Sequence, residues 1–243
     1  MLAAVLFDLD CTLVDRVNSI RQYALRFAED FRQRLVSASR EGIAEVLIAA
    51  DGLGYRPATR YHDIVANLVW TVRPAPDDIA AHWRRHFTSL AVAMDGAVEV
   101  LETLQRLGIA LGLVTNGTVR SQAQKLDILG LRSYFRTVVI SEAVGVEKPH
   151  AAIFQHALDG LGLHADHAWF VGDHPENDIL GAWRVGLRTV WLRGSHPWPG
   201  TQAVPHYQID HLRELVPLLM ARGALTRCDK RPVPGRGTRA GLT

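Results

Sequence analysis

The feature that most constrains the fold is an alternation of short apolar segments with longer helical patterns. Five segments have the apolar runs of buried strands and are bounded by glycine, polar or loop residues: 3–7, 109–115, 137–140, 168–172 and 187–192. Between them, apolar residues recur at helical spacing, as in Val98, Leu101 and Leu104. Strands that alternate with helices build βαβ units, so we predict an α/β fold with a Rossmann-like parallel sheet.

Residues 16–93 interrupt this alternation. They lack strand-like runs and carry apolar stripes of helical spacing, such as Ile20, Ala24 and Phe27. Further helices are predicted over residues 41–50, 61–72 and 77–90. The segment therefore reads as an all-helical insert that follows the first strand.

These patterns predict three regions. A Rossmann-like core comprises residues 1–15 and 94–220, and the helical insert comprises residues 16–93. Residues 221–243 are rich in glycine, proline and basic side chains and have no apolar periodicity, so we expect a flexible C-terminal tail.

Composition excludes several classes of protein. The formal net charge is +2, and six basic residues lie in the tail, so the rest of the chain has more acids than bases. This gives little support for a nucleic-acid partner. The apolar runs are too short to cross a bilayer, and the first residues lack the basic region of a signal peptide. Two cysteines cannot form a disulfide framework. We expect a cytoplasmic protein without a membrane partner, either a monomer or a homodimer.

Four polar motifs follow predicted strands. In chain order they are Asp8-Leu9-Asp10-Cys11-Thr12, Thr115-Asn116-Gly117, Lys148-Pro149, and Gly172-Asp173 with Asp178. Each motif alone has an ordinary explanation, such as a helix cap or a solvated charge. In a parallel α/β sheet, however, sites form beyond the carboxyl ends of the strands, so the motifs are expected to meet.

Taken in this order, the four motifs resemble those of the haloacid dehalogenase superfamily of phosphohydrolases. The resemblance extends from the first strand to about residue 192, and the insert resembles the helical C1-type cap of subfamily I. It implies a Mg²⁺-dependent phosphatase that hydrolyses a small phosphate monoester. One departure is Cys11, which stands where most members have glycine.

The resemblance also implies the catalytic roles. Asp8 would be the nucleophile that forms an aspartyl-phosphate, and Asp10 would be the general acid and base. Thr115, Asn116 and Lys148 would bind the phosphoryl oxygens of a small phosphorylated metabolite.

The implied metal ligands are hard oxygen donors, which suit Mg²⁺. They are the carboxylates of Asp8 and Asp173 and the backbone carbonyl of Asp10. Asp178 would hold a water molecule or orient Lys148. Arg16 is a candidate specificity residue, although a salt bridge is its default role.

Several alternatives stay open at this point. The substrate could be a nucleotide, a sugar phosphate or a phosphoglycolate-like ester. The spacing between Asp173 and Asp178 resembles that of family members acting on nucleotides or acyl-sugar phosphates, and this resemblance slightly favours those substrates. An L-2-haloacid dehalogenase is a rival, but halide needs no leaving-group acid, so Asp10 favours a phosphatase. A non-catalytic phosphate-binding regulatory module is a second rival. For His82 and His86, four residues apart, a solvated helix face or a contact between cap and core is favoured over metal binding.

Overall fold

A computed structural model describes residues 2–36, 39–56, 58–200 and 204–225. Within these residues, six parallel strands form one sheet in the order β3-β2-β1-β4-β5-β6. The strands are β1 Ala4–Phe7, β2 Ala110–Thr115, β3 Thr137–Ile140, β4 Ala168–Gly172, β5 Arg188–Leu192 and β6 Tyr207–Ile209. The prediction of an α/β fold with a parallel sheet is confirmed. The short β6 at the sheet edge was not predicted.

Strand β1 lies at the centre of the sheet and sets the position of the polar motifs. Its four residues are fully buried. Phe7, the last of them, is opposite Leu113 of β2 and Val171 of β4. The carboxyl ends of these three strands therefore lie side by side, so the residues that follow each strand share one edge of the sheet.

Side chains of β1 alternate between two hydrophobic clusters, one on each face of the sheet. Val5 and Phe7 pack in the cluster that also contains Leu101, whereas Ala4 and Leu6 pack with Phe154. The helices that cover the two faces are α5 Ala97–Arg106, α6 Val119–Ile128, α7 Ser141–Val144, α8 Ala151–Leu161, α9 Gly181–Arg184 and α10 Leu215–Ala221. The continuous apolar runs of the strands follow from burial on both faces.

The insert is helical, as the pattern of apolar stripes predicts. Its helices are α1 Arg16–Asp30, α2 Arg40–Asp51, α3 Arg60–Asn67 and α4 Pro76–His86. They enclose a hydrophobic cluster of their own, which includes Ile20, Phe27 and Leu47. The predicted division of the chain into domains is compatible with this second cluster and stays a prediction.

Helix α3 is shorter than predicted because the chain after it pairs with another segment. The backbone amide of Val36 donates to the carbonyl of Val69, and the amide of Thr71 donates to the carbonyl of Arg34. Both hydrogen bonds join the segment after α3 to the segment after α1. Residues after Asn67 thus form their hydrogen bonds between segments, and the helical ladder ends.

Two adjacent connections join the insert to the core. Val14 forms an antiparallel bridge with Ala93, and the amide of Met94 donates to the carbonyl of Leu13.

At the other end of the chain, Ala224 is buried against the core. Residues 226–243 of the predicted tail lie outside the described residues. None of the helices that the structure describes combines the length and apolar character needed to span a bilayer.

Candidate active site

Three of the four motifs meet at Lys148. Its ammonium group donates to Asp8 Oδ1 at 2.5 Å and to Asp178 Oδ1 at 2.7 Å. All three side chains are buried. Asp8 and Lys148, which are 140 positions apart in sequence, are thus joined in one ion-paired group, because the segments that carry them meet at the same edge of the sheet.

Asp8, Asp173 and Asp178 form a cluster of buried carboxylates whose oxygens lie within 4.8 Å of one another. Burial raises the pKa of Asp8 to about 7, against the opposing charge of Lys148. Burial and the charges of Asp178 and Asp8 raise the pKa of Asp173 well above its usual range. The cluster therefore has more negative charge than Lys148 alone compensates.

This donor set fits a divalent cation with a preference for oxygen ligands. The backbone carbonyl of Asp10 lies at the same strand end and accepts no hydrogen bond from the described residues. Thr12 links the carboxylates, since its hydroxyl lies 3.4 Å from both Asp8 Oδ2 and Asp173 Oδ1. A cation bound at this position would lower the pKa values of Asp8 and Asp173, which are raised without it.

The second motif supports the third by direct hydrogen bonds. The side chain of Asn116 accepts from the amide of Lys148 at 2.8 Å and donates to its carbonyl at 3.0 Å. The hydroxyl of Thr115 accepts from Gln122 Nε2 at 2.6 Å. Asn116 therefore fixes the backbone of Lys148, and Gln122 fixes the orientation of the Thr115 hydroxyl.

Asp10 lies in a different electrostatic environment. Lys125 Nζ donates to its two oxygens at 2.7 and 2.6 Å, Gln122 donates at 3.0 Å, and Arg16 donates at 3.3 Å. Although burial acts to raise it, the pKa of Asp10 is held well below its usual range by the charges of Lys125 and Arg16. Asp10 is therefore ionised in this arrangement.

Arg16, the first residue of α1 in the insert, connects Asp10 with Asp51. Its guanidinium donates to both oxygens of Asp51, at 2.7 and 2.9 Å, in a bidentate pair. Arg60 Nε lies 3.0 Å from Asp51 Oδ1, and Asp51 itself is fully buried at the end of α2. The salt bridge expected of Arg16 is present, and the same side chain lines the site cavity.

These groups surround a cavity of about 390 Å³ between the core and the insert. The core contributes Asp8, Asp10, Thr115, Lys148 and Asp173, among others. The insert contributes the turn after α2, which contains Leu53, Gly54 and Tyr55. The geometry therefore combines charged strand ends with a wall supplied by the insert.

Tyr55 reaches across this cavity to the core. Its ring centroid lies 4.7 Å from that of His174 and 5.2 Å from that of His196. Its hydroxyl accepts from Asn177 Nδ2 at 3.2 Å. These contacts hold the turn after α2 against the segments that follow β4 and β5.

Five residues of the site were not anticipated from the sequence: Asp51, Tyr55, Arg60, Gln122 and Lys125. Gln122 and Lys125 could have been recognised from the sequence, because they are polar residues on the buried face of the helix that directly follows the Thr115 motif. Such positions in an amphipathic helix are normally apolar. Asp51, Tyr55 and Arg60 lie in the insert, where the sequence shows no recognisable motif.

Cys11 occupies a backbone conformation that favours glycine. Its φ is 61°, in the left-handed region, and its side chain is buried. Burial raises the pKa of the thiol, which is therefore protonated. The turn between Asp8 and Thr12 is retained despite the departure at this position, at the expense of local backbone strain.

The pair His82 and His86 acquires a third neighbour in the structure. Asp30 lies within 4.8 Å of both imidazoles. Both ring nitrogens of His82 are already used, because Nε2 contacts Asp30 at 2.9 Å and Nδ1 contacts the hydroxyl of Tyr23 at 2.8 Å. The arrangement is a hydrogen-bonded contact between α1 and α4 within the insert.

Comparison with known proteins places this geometry in a family. The sequence profile of the haloacid dehalogenase-like hydrolases matches residues 5–192. Glyceraldehyde 3-phosphate phosphatase of Methanopyrus kandleri is 32% identical over 234 residues, which cover 89% of this chain and 96% of that protein. Ribulose-1,5-bisphosphate 5-phosphatase of Halopiger xanaduensis is 31% identical over 240 residues, with 90% and 100% coverage.

A similar fold occurs in a solved structure with magnesium bound. The hydrolase YfnB of Bacillus subtilis superimposes with a TM-score of 0.71 at 24% identity, covering 90% of this chain and 98% of that one. The matched family profile includes the strand ends that carry Asp8, Thr115, Lys148 and Asp173. The resemblance drawn from the four motifs is confirmed, and the chain belongs to the haloacid dehalogenase-like hydrolase family.

Proposed function

We propose that this protein is a Mg²⁺-dependent phosphatase that hydrolyses a small phosphate monoester through an aspartyl-phosphate. The observation that carries the proposal is the placement of Lys148 between Asp8 and Asp178, in a carboxylate cluster that includes Asp173 and adjoins a cavity. The relatives named as phosphatases of small phosphorylated metabolites support the substrate class.

In the first step, Asp8 attacks phosphorus. A bond forms between a carboxylate oxygen of Asp8 and phosphorus as the ester P–O bond breaks, and the leaving oxygen takes a proton from Asp10. In the second step, Asp10 removes a proton from water, which attacks the aspartyl-phosphate. The products are an alcohol, inorganic phosphate and the regenerated Asp8.

Thr115, Asn116 and Lys148 are proposed to bind the phosphoryl oxygens. The hydroxyl of Thr115 and the ammonium of Lys148 line the cavity beside Asp8. Gln122 holds the Thr115 hydroxyl, Asn116 holds the backbone of Lys148, and Asp178 holds its ammonium group, so the donors are oriented before substrate arrives. Preorganised donors of this kind supply much of the stabilisation that phosphoryl transfer requires.

Asp8, Asp173 and the backbone carbonyl of Asp10 are proposed to hold Mg²⁺, which would neutralise negative charge on the phosphoryl group. Asp178 accepts from Lys148, so we assign it to orienting that cation. Its second oxygen accepts from the amide of His174 at 2.9 Å, which fixes the carboxylate in turn.

The proton state of Asp10 restricts the cycle. The contacts with Lys125 and Arg16 favour the ionised form, which suits activation of water. Donation of a proton to the leaving oxygen requires that these contacts loosen first. Because Arg16 is paired with Asp51 of the insert, movement of the insert is the expected means of loosening them.

The test is phosphate release from a panel of nucleotides, sugar phosphates and phosphoglycolate, with Mg²⁺ and with a chelator. We expect release by the native protein only with Mg²⁺, and none by Asp8→Asn. Asp77→Asn, an exposed carboxylate of α4, is the matched control and should retain activity. Release that persists in Asp8→Asn, or none from any ester by a folded native protein, would contradict the proposal.

A further inference from the structure

A second cavity adjoins the proposed catalytic one. It has a volume of about 360 Å³ and lies between α3 and α4 of the insert and α6 of the core. Arg16, Arg60 and Lys125 line both cavities, so the two spaces lie next to each other across these side chains. We call this second cavity the cationic cleft.

The lining of the cationic cleft has cations of all three elements and no carboxylate. The cationic side chains are Arg16, Arg60, Arg84, Arg120 and Lys125. Arg84 and Arg120 are exposed and form no ion pair with any residue that the structure describes. Their charge is therefore available to a ligand.

Arg60 is the most unusual member of this lining. Its side chain is only 9% exposed, yet its Nε forms no hydrogen bond, although it lies 3.0 Å from Asp51 Oδ1. The guanidinium packs over the ring of Trp83 at 5.0 Å, which fixes its plane. Nε is thus engaged by the charge of Asp51, whereas the two terminal nitrogens form no hydrogen bond with the described residues and are free to donate to a ligand.

We propose that the cationic cleft binds a second anionic group of the substrate. The substrate class is then a phosphate monoester that carries a carboxylate or a second phosphate at its other end. This inference rests on the proposed function, which places the scissile phosphate beside Asp8. Arg60 and Arg84 of the insert and Arg120 of the core would contact the distal anion, so the ligand bridges the two parts of the molecule.

The charge of the cleft also excludes other distal groups. A neutral end would leave the charges of Arg84 and Arg120 without a counter-ion, and a cationic end would face repulsion from them. Guanidinium groups bind both carboxylate and phosphate through paired hydrogen bonds, so the two anions share this recognition.

The test uses full-length Asp8→Asn protein with Mg²⁺, so that binding is measured without turnover. Affinities are compared by calorimetry at one low ionic strength for three series: alkyl phosphates, ω-carboxyalkyl phosphates and alkane bisphosphates, each from propyl to pentyl. We expect the better doubly anionic series to bind about tenfold tighter than the alkyl series. The doubly anionic series that binds more tightly than the alkyl series identifies the distal group as a carboxylate or a phosphate.

Variants locate the effect. Arg84→Gln combined with Arg120→Gln should reduce the preference to within about threefold, because two charge-assisted contacts are lost. Arg85→Gln, one residue further along α4 and outside the cleft lining, should keep the full preference. Equal affinity of all three series, no measurable binding of any compound, or a preference unaffected by the double variant would overturn the inference.

The two proposals fail differently. If the native protein releases phosphate but Asp8→Asn shows no preference for a doubly anionic ligand, the proposed function stands and the cleft assignment falls. If the preference is present but the native protein hydrolyses none of the three series or the metabolite panel, the cleft stands as an anion site and the phosphatase proposal falls.

Discussion

Two charge clusters share one site and are composed in opposite ways. The Asp8 cluster comprises Asp8, Asp173 and Asp178 and has Lys148 as its paired cation. The Asp10 cluster comprises Asp10 and Asp51 and has three paired cations, which are Arg16, Arg60 and Lys125. The first is short of positive charge, and the second has it in excess.

The difference shows how one strand end can hold two carboxylates whose pKa values are shifted in opposite directions. Asp8 and Asp10 are two residues apart, yet the pKa of Asp8 is raised by burial and that of Asp10 is held low by Lys125 and Arg16. The Asp8 cluster is built entirely from residues of the core that follow β1 and β4, so its composition does not depend on the insert. The Asp10 cluster includes residues of the insert, so its charge balance depends on where the insert lies.

The largest expected effect comes from Lys148→Met. Removal of the cation leaves Asp8 and Asp178 buried without compensation, which should lower stability by about 3–5 kcal/mol and turnover by about a thousandfold. Denaturant unfolding with and without Mg²⁺ measures the first effect, and we expect Mg²⁺ to restore part of the loss.

Lys125→Met is the matched control in the Asp10 cluster. It also removes a buried lysine, but Asp10 keeps Arg16, and the cation proposed to bind is expected at the other cluster. Equal recovery of both variants with Mg²⁺ would show that the two clusters are not electrostatically distinct.

The next effect is that of Asp51→Asn. This substitution leaves Arg16 and Arg60 without their fully buried carboxylate and should lower the free energy of unfolding by roughly 3 kcal/mol. Asp77→Asn, at an exposed position of α4, should change it by only a few tenths of a kcal/mol. A loss similar to the control would mean that the insert does not depend on this ion pair.

The Asp8 cluster should also show a characteristic pH dependence in the metal-free protein. Folding raises the pKa of Asp8 from 3.8 to about 7, so the folded state binds the extra proton in this interval. Stability from this group is therefore present at low pH and lost as pH rises through the interval, with a slope of at most about 1.4 kcal/mol per pH unit.

Denaturant unfolding in chelator, as a function of pH, measures that slope. Asp8→Asn removes the titrating group, so the difference in stability between native and variant protein should itself change with pH. A pH-independent difference would show that Asp8 does not titrate abnormally.

A smaller effect is expected from Gly172→Ala. A Cβ at this position would lie 2.5 Å from Cγ of Asp178, which is buried and cannot move aside freely. Displacement of Asp178 should disturb Lys148 and reduce kcat about tenfold. In the Asp178→Gly background the same substitution should add little, because the side-chain atoms that the new Cβ meets, including Cβ of Asp178, are gone. If the two substitutions reduced kcat independently of each other, the effect of Gly172→Ala would not act through Asp178.

The sequence predicted the Asp8 cluster better than the Asp10 cluster, for a physical reason. Strand ends are recognisable locally, and a parallel sheet brings them together, so Asp8, Lys148 and Asp173 could be expected at one edge. Lys125 contacts Asp10 over 115 positions, and Asp51 contacts Arg16 between helices of the insert. Such pairings depend on how helices are placed in space, which local periodicity does not specify.

The same limit applied to elements of the fold. Strand β6 has three residues and pairs with β5 at the edge, so it offers too few positions for a pattern. The end of α3 was set by pairing of residues near Val69 with the segment near Val36, another contact between distant segments. Buried strands and amphipathic helices, by contrast, carry their own repeat and were placed nearly as observed.

Trp191 is a fluorescent side chain that contacts a residue of the Asp8 cluster. Its indole Nε1–H donates at 2.8 Å to the backbone carbonyl of Asp173, and its ring lies 5.0 Å from that of Trp198. Emission from a largely buried indole depends on nearby charge and hydrogen bonding, so occupation of the carboxylate cluster should alter it. The chain thus contains an intrinsic fluorophore beside the proposed ligand set, with which Mg²⁺ binding can be followed without substrate or label.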